Sequence, residues 1–319
     1  MAFPYVVIKR EDQEPMMERN DTLSYWIRIT DRNSTSTDPS TCSLSILDPC
    51  KNEILAYSAM TKESAGLYYY NYTFPATAMY GKYTLRVRMS DGTNVTIDDG
   101  EVFVMPWNLM DATRYKSGIA DTKSIPNNRL ANLCWGAYKE ALSESFIRHK
   151  RESPSGNPST GVLYDGSNTS FRTKHYPIAD KDGDGSVTGW GEQSCSTDVN
   201  CEWYDSNNAW NQGKVTLIQA KSGDITITQT SGIAIPSNNK GVYLYYHEEP
   251  REYDEEIFRE AVAYLAAHNV MESLKGLDRV TLADIDRNKI MIEKDADRFK
   301  RKYHELLNNT IRPRVKGTR

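Results

Sequence analysis

Residues 214–274 read KVTLIQAKSGDITITQTSGIAIPSNNKGVYLYYHEEPREYDEEIFREAVAYLAAHNVMESL. Val215 and Leu217, then Ile225 and Ile227, then Val242, Leu244 and Tyr246 alternate with polar neighbours, the period-two pattern of half-buried strands. Ser222-Gly223-Asp224 supplies a turn between the first two runs. Beyond a polar linker the period changes to that of a helix, with Ile257, Phe258, Ala261, Val262, Leu265 and Asn269 along one side. Asp254 stands where an N-cap is needed, and Glu255 and Glu256 suit the positive end of the helix dipole. These residues predict a sheet that hands directly to a helix.

Further along, the chain turns after Gly276, and a long helix is predicted over roughly 282–309 with a stripe of Ile285, Ile292, Ala296, Phe299, Tyr303 and Leu306. Pro313 bars simple continuation, so 310–319 reads as a basic, extended tail. Upstream of the sheet, 124–149 reads as a helix carrying Leu130, Leu133, Cys134, Ala137, Ala141 and Leu142. Arg151–Gly161, rich in Ser, Pro and Gly, reads as a loop.

Residues 1–108 read as all-β. Leu23, Tyr25, Ile27 and Ile29 alternate, as do Cys42, Leu44 and Ile46, then Tyr68, Tyr70, Tyr72 and Phe74, then Tyr83, Leu85, Val87 and Met89. Asp48-Pro49, Ala65-Gly66, Gly81 and Asp91-Gly92 mark the turns, and several short strands at this spacing predict a β-sandwich. Gly66-Leu67-Tyr68, Gly81-Lys82-Tyr83-Thr84-Leu85, Asp91-Gly92 and Glu101-Val102-Phe103-Val104 resemble the immunoglobulin-like modules of viral and prokaryotic surface proteins. Such modules bind, space or decorate.

The chain has 319 residues and a net charge of −4, enough for several domains. Arg287–Arg319 holds 11 Lys/Arg against 4 Asp/Glu, a balance of +7 that leaves −11 on the rest. Ends of opposite sign favour head-to-tail association, although a solvated helix face with a basic tail would read the same way. No apolar run reaches the roughly 18 residues of a membrane helix, and the opening MAFPYVVIKREDQEP is expected not to be a secretory signal. Cys42 and Cys50, and Cys195 and Cys201, are each close enough in sequence to bridge, while a reducing compartment would leave all five cysteines as thiols.

Asp180, Asp182, Asp184 and Gly185 match the first half of a calcium loop. Alternate carboxylates converge on a hard cation, and glycine permits the sharp turn. Ser186 would add a backbone carbonyl. The twelfth position is Gly191, and the nearest carboxylate, Glu192, falls one place late. An ordinary polar Asp/Gly turn is the other reading. No P-loop, HExxH or nucleophile–base set appears, and the five histidines are scattered, so no enzyme is expected. Lys300-Arg301-Lys302 suits phosphate or a plain charged helix face equally.

In element order the chain resembles the head–tail adaptor (connector) proteins of tailed viruses, archaeal-virus versions above all. The residues that carry the resemblance are 177–188 (PIADKDGDGSVT), 223–228 (GDITIT), 241–246 (GVYLYY) and 261–267 (AVAYLAA). The resemblance implies an α+β multidomain chain: an immunoglobulin-like β-sandwich (1–108), a linker and first adaptor helix (109–161), a β insertion with the acidic loop (162–250), adaptor helices (251–309) and a basic tail (310–319). It implies a virion structural protein at the neck, assembled in the host cytoplasm. Copies of the chain would form a dodecameric ring between the portal and a tail or stopper protein. DNA would pass through without sequence readout, the capsid would be a further contact, and no membrane would be involved. Arg312, Arg314, Lys316 and Arg319 would bind the portal, and Asp180, Asp182, Asp184, Ser186 and Glu192 would hold Ca2+. The competing expectation is a calcium-dependent cell-surface or adhesion protein with an immunoglobulin-like module.

Overall fold

The computed structural model describes residues 5–9, 15–119, 125–156, 159, 169–192, 195, 197–204, 210–228, 242–249, 254–275, 279–282 and 285–308, without side chains at 9, 204, 210, 217–218, 279–282 and 285–289. The tail residues Arg312, Arg314, Lys316 and Arg319 lie outside the described residues. The fold is mostly β, with four helices among the described residues. The chain divides into two compact units, 1–137 with 263–300, and 138–262 with 301–319.

In the first unit nine strands form two sheets. Strands β1 (Val6–Lys9), β3 (Thr22–Thr30), β7 (Leu67–Thr73) and β6 (Thr61–Ser64) lie in that order in one. The other runs β2 (Met16–Met17), β9 (Val95–Val104), β8 (Gly81–Ser90), β4 (Thr41–Leu47) and β5 (Glu53–Ala59). All pairs are antiparallel except β2 with β9. The predicted alternation is obeyed: Leu23, Tyr25, Ile27 and Ile29 share one core with Leu44, Ile46, Leu85 and Val87 of the opposing sheet. This is a β-sandwich, each sheet giving one apolar face to a common interior.

After Pro106 the chain enters α1 (Met110–Ser117), in a stretch expected from the sequence to be linker. Gly118, at φ +72°, closes it in the left-handed conformation. Next comes α2 (Asn127–Ser145), which ends earlier than its periodicity predicts. Residues Ile147–Glu152 instead form β10. That strand belongs to a six-stranded antiparallel sheet in the second unit, ordered β10, β15 (Val242–Glu248), β12 (Asn200–Tyr204), β13 (Trp210–Gln219), β14 (Asp224–Thr228) and β11 (Ser170–Arg172). Phe171, Trp203, Val215, Ile225, Ile227, Val242 and Leu244 form its core.

Helix α3 (Glu255–Leu274) starts as predicted, with Asp254 Oδ1 accepting the N–H groups of Glu256 and Ile257 at 3.0 and 3.2 Å. The last helix, α4 (Lys289–Leu306), is shorter than expected, because β16 (Arg279–Leu282) and β17 (Ile285–Asn288) pair as an antiparallel hairpin. Ile292, Ala296, Phe299 and Tyr303 of the predicted stripe are buried, and Leu307 rather than Leu306 completes it. Cys42, Cys134 and Cys201 are free and buried, so neither short-range bridge forms.

Two glycines make opposite demands. A Cβ at Gly213 would overlap the ring of Trp203 and lie 3.1 Å from Ile227, inside the closed core of the second sheet. A Cβ at Gly136, exposed in mid-α2, would meet nothing within 4 Å. Gly213→Ala is expected to destabilise by about 1–3 kcal/mol through overpacking. Gly136→Ala is expected to stabilise by about 0.5–1 kcal/mol through helix propensity. Urea unfolding of both variants reads the two signs.

Candidate functional site: an acidic loop in the six-stranded sheet

The segment that enters the sheet is fastened before the acidic loop begins. Ile178 N–H donates to Ala220 O at 3.0 Å, Ala179 N–H to His247 O at 2.9 Å, and Glu249 N–H to Pro177 O at 3.0 Å. The chain then winds around the Asp180 carboxylate. Asp180 Oδ1 accepts from Gly183 N–H at 2.8 Å and Asp184 N–H at 3.2 Å, and Oδ2 accepts from Gly185 N–H at 2.6 Å. Gly183 and Gly185 sit at φ +73° and +84°, the left-handed region the winding requires. A side chain at Gly183 would also collide with Leu142 and Tyr138, so glycine there meets a packing demand too.

One carboxylate of the site is not foreseen from the sequence. Asp198 closes the loop from the far side, Oδ1 accepting from Lys181 N–H at 2.7 Å and Oδ2 from Thr188 N–H at 2.8 Å. Asp180, Asp182 and Asp198 each present an oxygen within 4.8 Å of the others. Asp184 is buried, with Oδ1 accepting from Ser186 N–H at 2.8 Å. Glu192 turns its carboxylate to Gly189 N–H at 2.7 Å. Asp180 and Asp182 of the predicted ligands are therefore brought together with Asp198, and Asp184, Ser186 and Glu192 stand outside that trio. Asp198 lies outside the local loop motif and is brought near by the bridge that sets Gly189 beside Val199 and by the Asp198 N–H donating to Thr188 O at 2.9 Å.

Burial, then the charges of Asp198 and Asp184, holds the Asp180 carboxyl well above the usual carboxylate range. Burial likewise raises Asp198 to about 7, with the Asp182 and Asp184 charges adding to the rise and the Thr188 and Lys181 N–H groups opposing it. A cleft of about 270 Å³ lined by Tyr138, Leu142, Phe146, Ile178 and Val187, with Lys221 and Glu249 also on its wall, borders Asp180. Asp180, Asp182 and Asp198 bring like charges together, and a bound cation would offset them. Three carboxylates do not complete the six to eight oxygens of calcium, so carbonyls and water would make up the rest.

Both raised groups are carboxyls whose folded pKa exceeds the unfolded value. The folded chain holds their protons up to higher pH, so their contribution is complete below the ordinary carboxylate range and is lost as pH rises through about 7 for Asp198. In chelator, the melting temperature is expected to fall between about pH 5 and about pH 8. Asp198→Asn is expected to flatten that fall. A variant with the same slope as the parent would remove Asp198 from the site.

No family model matches the chain, and no curated protein does. Among solved structures, the Lin-41 filamin domain aligns with 34% of this chain and 97% of its own, at 16% identity and a TM-score of 0.26. A tetra-tandem repeat in the extending region of a large adhesion protein aligns over 77% of this chain and 48% of its own, at 11% identity and a TM-score of 0.29. Salmonella alpha-2-macroglobulin reacted with methylamine aligns over 78% of this chain, which spans 15% of that protein, at 11% identity and a TM-score of 0.29. Likenesses this low say nothing about function. No helix among the described residues is long and apolar enough to cross a membrane.

Proposed function

We propose that this chain is a head–tail adaptor of a tailed virus, a structural joint in a ring between the portal and a tail or stopper protein. The observation that supports the reading is the order of parts. Helix α2 leads into the six-stranded sheet, the sheet into α3, and α3 through a hairpin into α4. The four motifs behind the resemblance fall in that order on the acidic loop, β14, β15 and α3. The segment 310–319 carries four cationic side chains, Arg312, Arg314, Lys316 and Arg319, which suit docking on an acidic partner surface. The immunoglobulin-like sandwich adds an outward module, suited to the capsid or to decoration.

In this reading the acidic loop is structural. A divalent cation, calcium by the chemistry of its carboxylates, stiffens the insertion where buried charge otherwise repels. The sandwich and the same loop also favour a calcium-dependent adhesion protein. The two readings part on what the C-terminus does: an adaptor needs it for docking, and an adhesion module does not.

Removing 310–319 is expected to leave the fold intact, judged by circular dichroism, and to abolish capture by the purified portal ring. Arg312→Ala with Arg314→Ala is expected to weaken capture and reduce its salt dependence. Full capture by the truncated chain would overturn the adaptor reading, as would imaging of the parent particle that places the chain anywhere but the neck.

A further inference from the structure

The two faces of the six-stranded sheet treat charge differently. Strand β15 sends Val242, Leu244 and Tyr246 into the core and leaves Tyr243, Tyr245 and His247 half-buried on the outer face. On the side of Tyr246, His149 of β10 and His175 stack with ring centroids 4.1 Å apart. Glu248 Oε2 lies 3.0 Å from His149 Nε2 and 3.6 Å from His175 Nδ1, and Glu152 Oε2 lies 3.5 Å from the other nitrogen of each ring. The titratable groups of that side meet one another.

The outer face is different. Arg148 pairs with His247 across β10 and β15, so it projects on the outer side. Between His149 and Glu152 the pairing slips, and Arg151, at φ +53°, lays its guanidinium 4.8 Å over the Tyr243 ring. Lys150 stands exposed between the two arginines in sequence. Across β12, Asn200 faces Tyr245, and Glu202, facing Tyr243, brings a carboxylate to the face. Gly213 of β13 abuts Trp203 in the core, so its exposed neighbour Lys214 projects outward. Exposed Lys181 follows the segment whose Ala179 N–H donates to His247 O at 2.9 Å.

Arg148, Lys150, Lys181 and Lys214 form no ion pair with any described residue. Elsewhere on the sheet Arg172 is paired, its Nε 2.6 Å from Asp224 Oδ1. Burial, then the charges of Lys181, Arg148 and His149, pushes His247 down to about 4, the response of an imidazole in a positive field.

We propose that this outer face binds single-stranded nucleic acid, its phosphates on the cations and its bases against Tyr243 and Tyr245. Five cations interleaved with two tyrosines match both parts of a nucleotide strand, whereas an acidic polypeptide would engage the cations alone. From β10 to β13 is three strand steps, about 14 Å, room for a few nucleotides. The bridge between Ser155 and Arg172 joins the chain after β10 to the opposite edge strand β11, so the sheet curls on itself and its outer face is convex. A single strand can follow such a face, while a duplex, stiff over about 150 base pairs, touches it only briefly. Stacking and phosphate contacts carry no base code, so binding is independent of sequence. The inference does not rest on the adaptor reading, which uses the C-terminal segment.

The probe is a fluorescein-labelled 12-nucleotide oligothymidine, titrated with the full-length chain and read by fluorescence anisotropy. Saturable binding is expected, with a slope of log affinity against log salt of about −3, from four phosphates at about −0.7 each. Lys150→Ala with Lys214→Ala is expected to reduce that slope by about 1.4. Tyr245→Ala, with its fold checked by circular dichroism, is expected to weaken binding about tenfold. Arg312→Ala with Arg314→Ala is expected to leave it unchanged, which separates this face from the basic C-terminus. Absence of binding by the parent chain at 50 µM protein and about 50 mM salt would overturn the proposal without recourse to any variant. So would full affinity in the Lys150/Lys214 variant. Equal competition by unlabelled duplex of the same length would overturn the choice of a single strand, and equal competition by polyglutamate would overturn the choice of nucleic acid.

Discussion

Everything that can be called a site in this protein hangs on the pairing of one strand, Val242–Glu248. It takes β10 on one side and β12 on the other, and its alternate side chains Val242, Leu244 and Tyr246 are buried. The first of those pairings sets Ile147 against Glu248, 248 − 147 = 101 positions apart. Closing so long a loop costs entropy before any contact repays it. The repayment comes from a continuous apolar core, with Trp203, Phe171 and Tyr246 among its largest members, and from a strand that leaves few of its backbone groups unpaired.

Once that strand is set, the surrounding chemistry is fixed by geometry. Ile178 bridges to Glu248, and Ala179 N–H reaches His247 O, so the chain enters the acidic loop from a fixed direction. On the same strand, Tyr246 and Glu248 share the face that receives His149, because His149 pairs with Tyr246 and Ile147 with Glu248. A slip of one residue would turn both to the opposite face and scatter the cluster. Register here does the work that a conserved loop does in other folds, which explains why no compact motif announces the cluster.

Dependence on long-range register also separates the features legible in the sequence from those that were not. Local periodicity was enough for the sandwich strands, whose buried residues are the alternating ones, and for the start of α3, where Asp254 caps as its position demands. It failed where long-range pairing overrode a local pattern. Ile147–Glu152 carries on the polar rhythm of α2, yet it is drawn into the sheet by β15. Arg279–Leu282 and Ile285–Asn288 precede α4 without a glycine or proline between them and form a hairpin instead of its first turns. Asp180 and Asp182 were legible because the calcium-loop spacing is local. Asp198 and the His149–His175 stack were not, since each needs a contact that only the folded sheet makes.

The two clusters also differ in how the fold leaves their charge. Around Asp180 and Asp198 the positive partners are backbone N–H dipoles, which turn the carboxylates inward without cancelling their charge, and burial pushes both groups toward protonation. Around His149 and His175 each ring edge faces a carboxylate, Glu248 on one side and Glu152 on the other. The loop thus gathers like charges, whereas the histidine pair sets ring nitrogens against carboxylate oxygens. Both clusters are built from side chains that the register of β15 and its neighbours puts in place, not from a larger core.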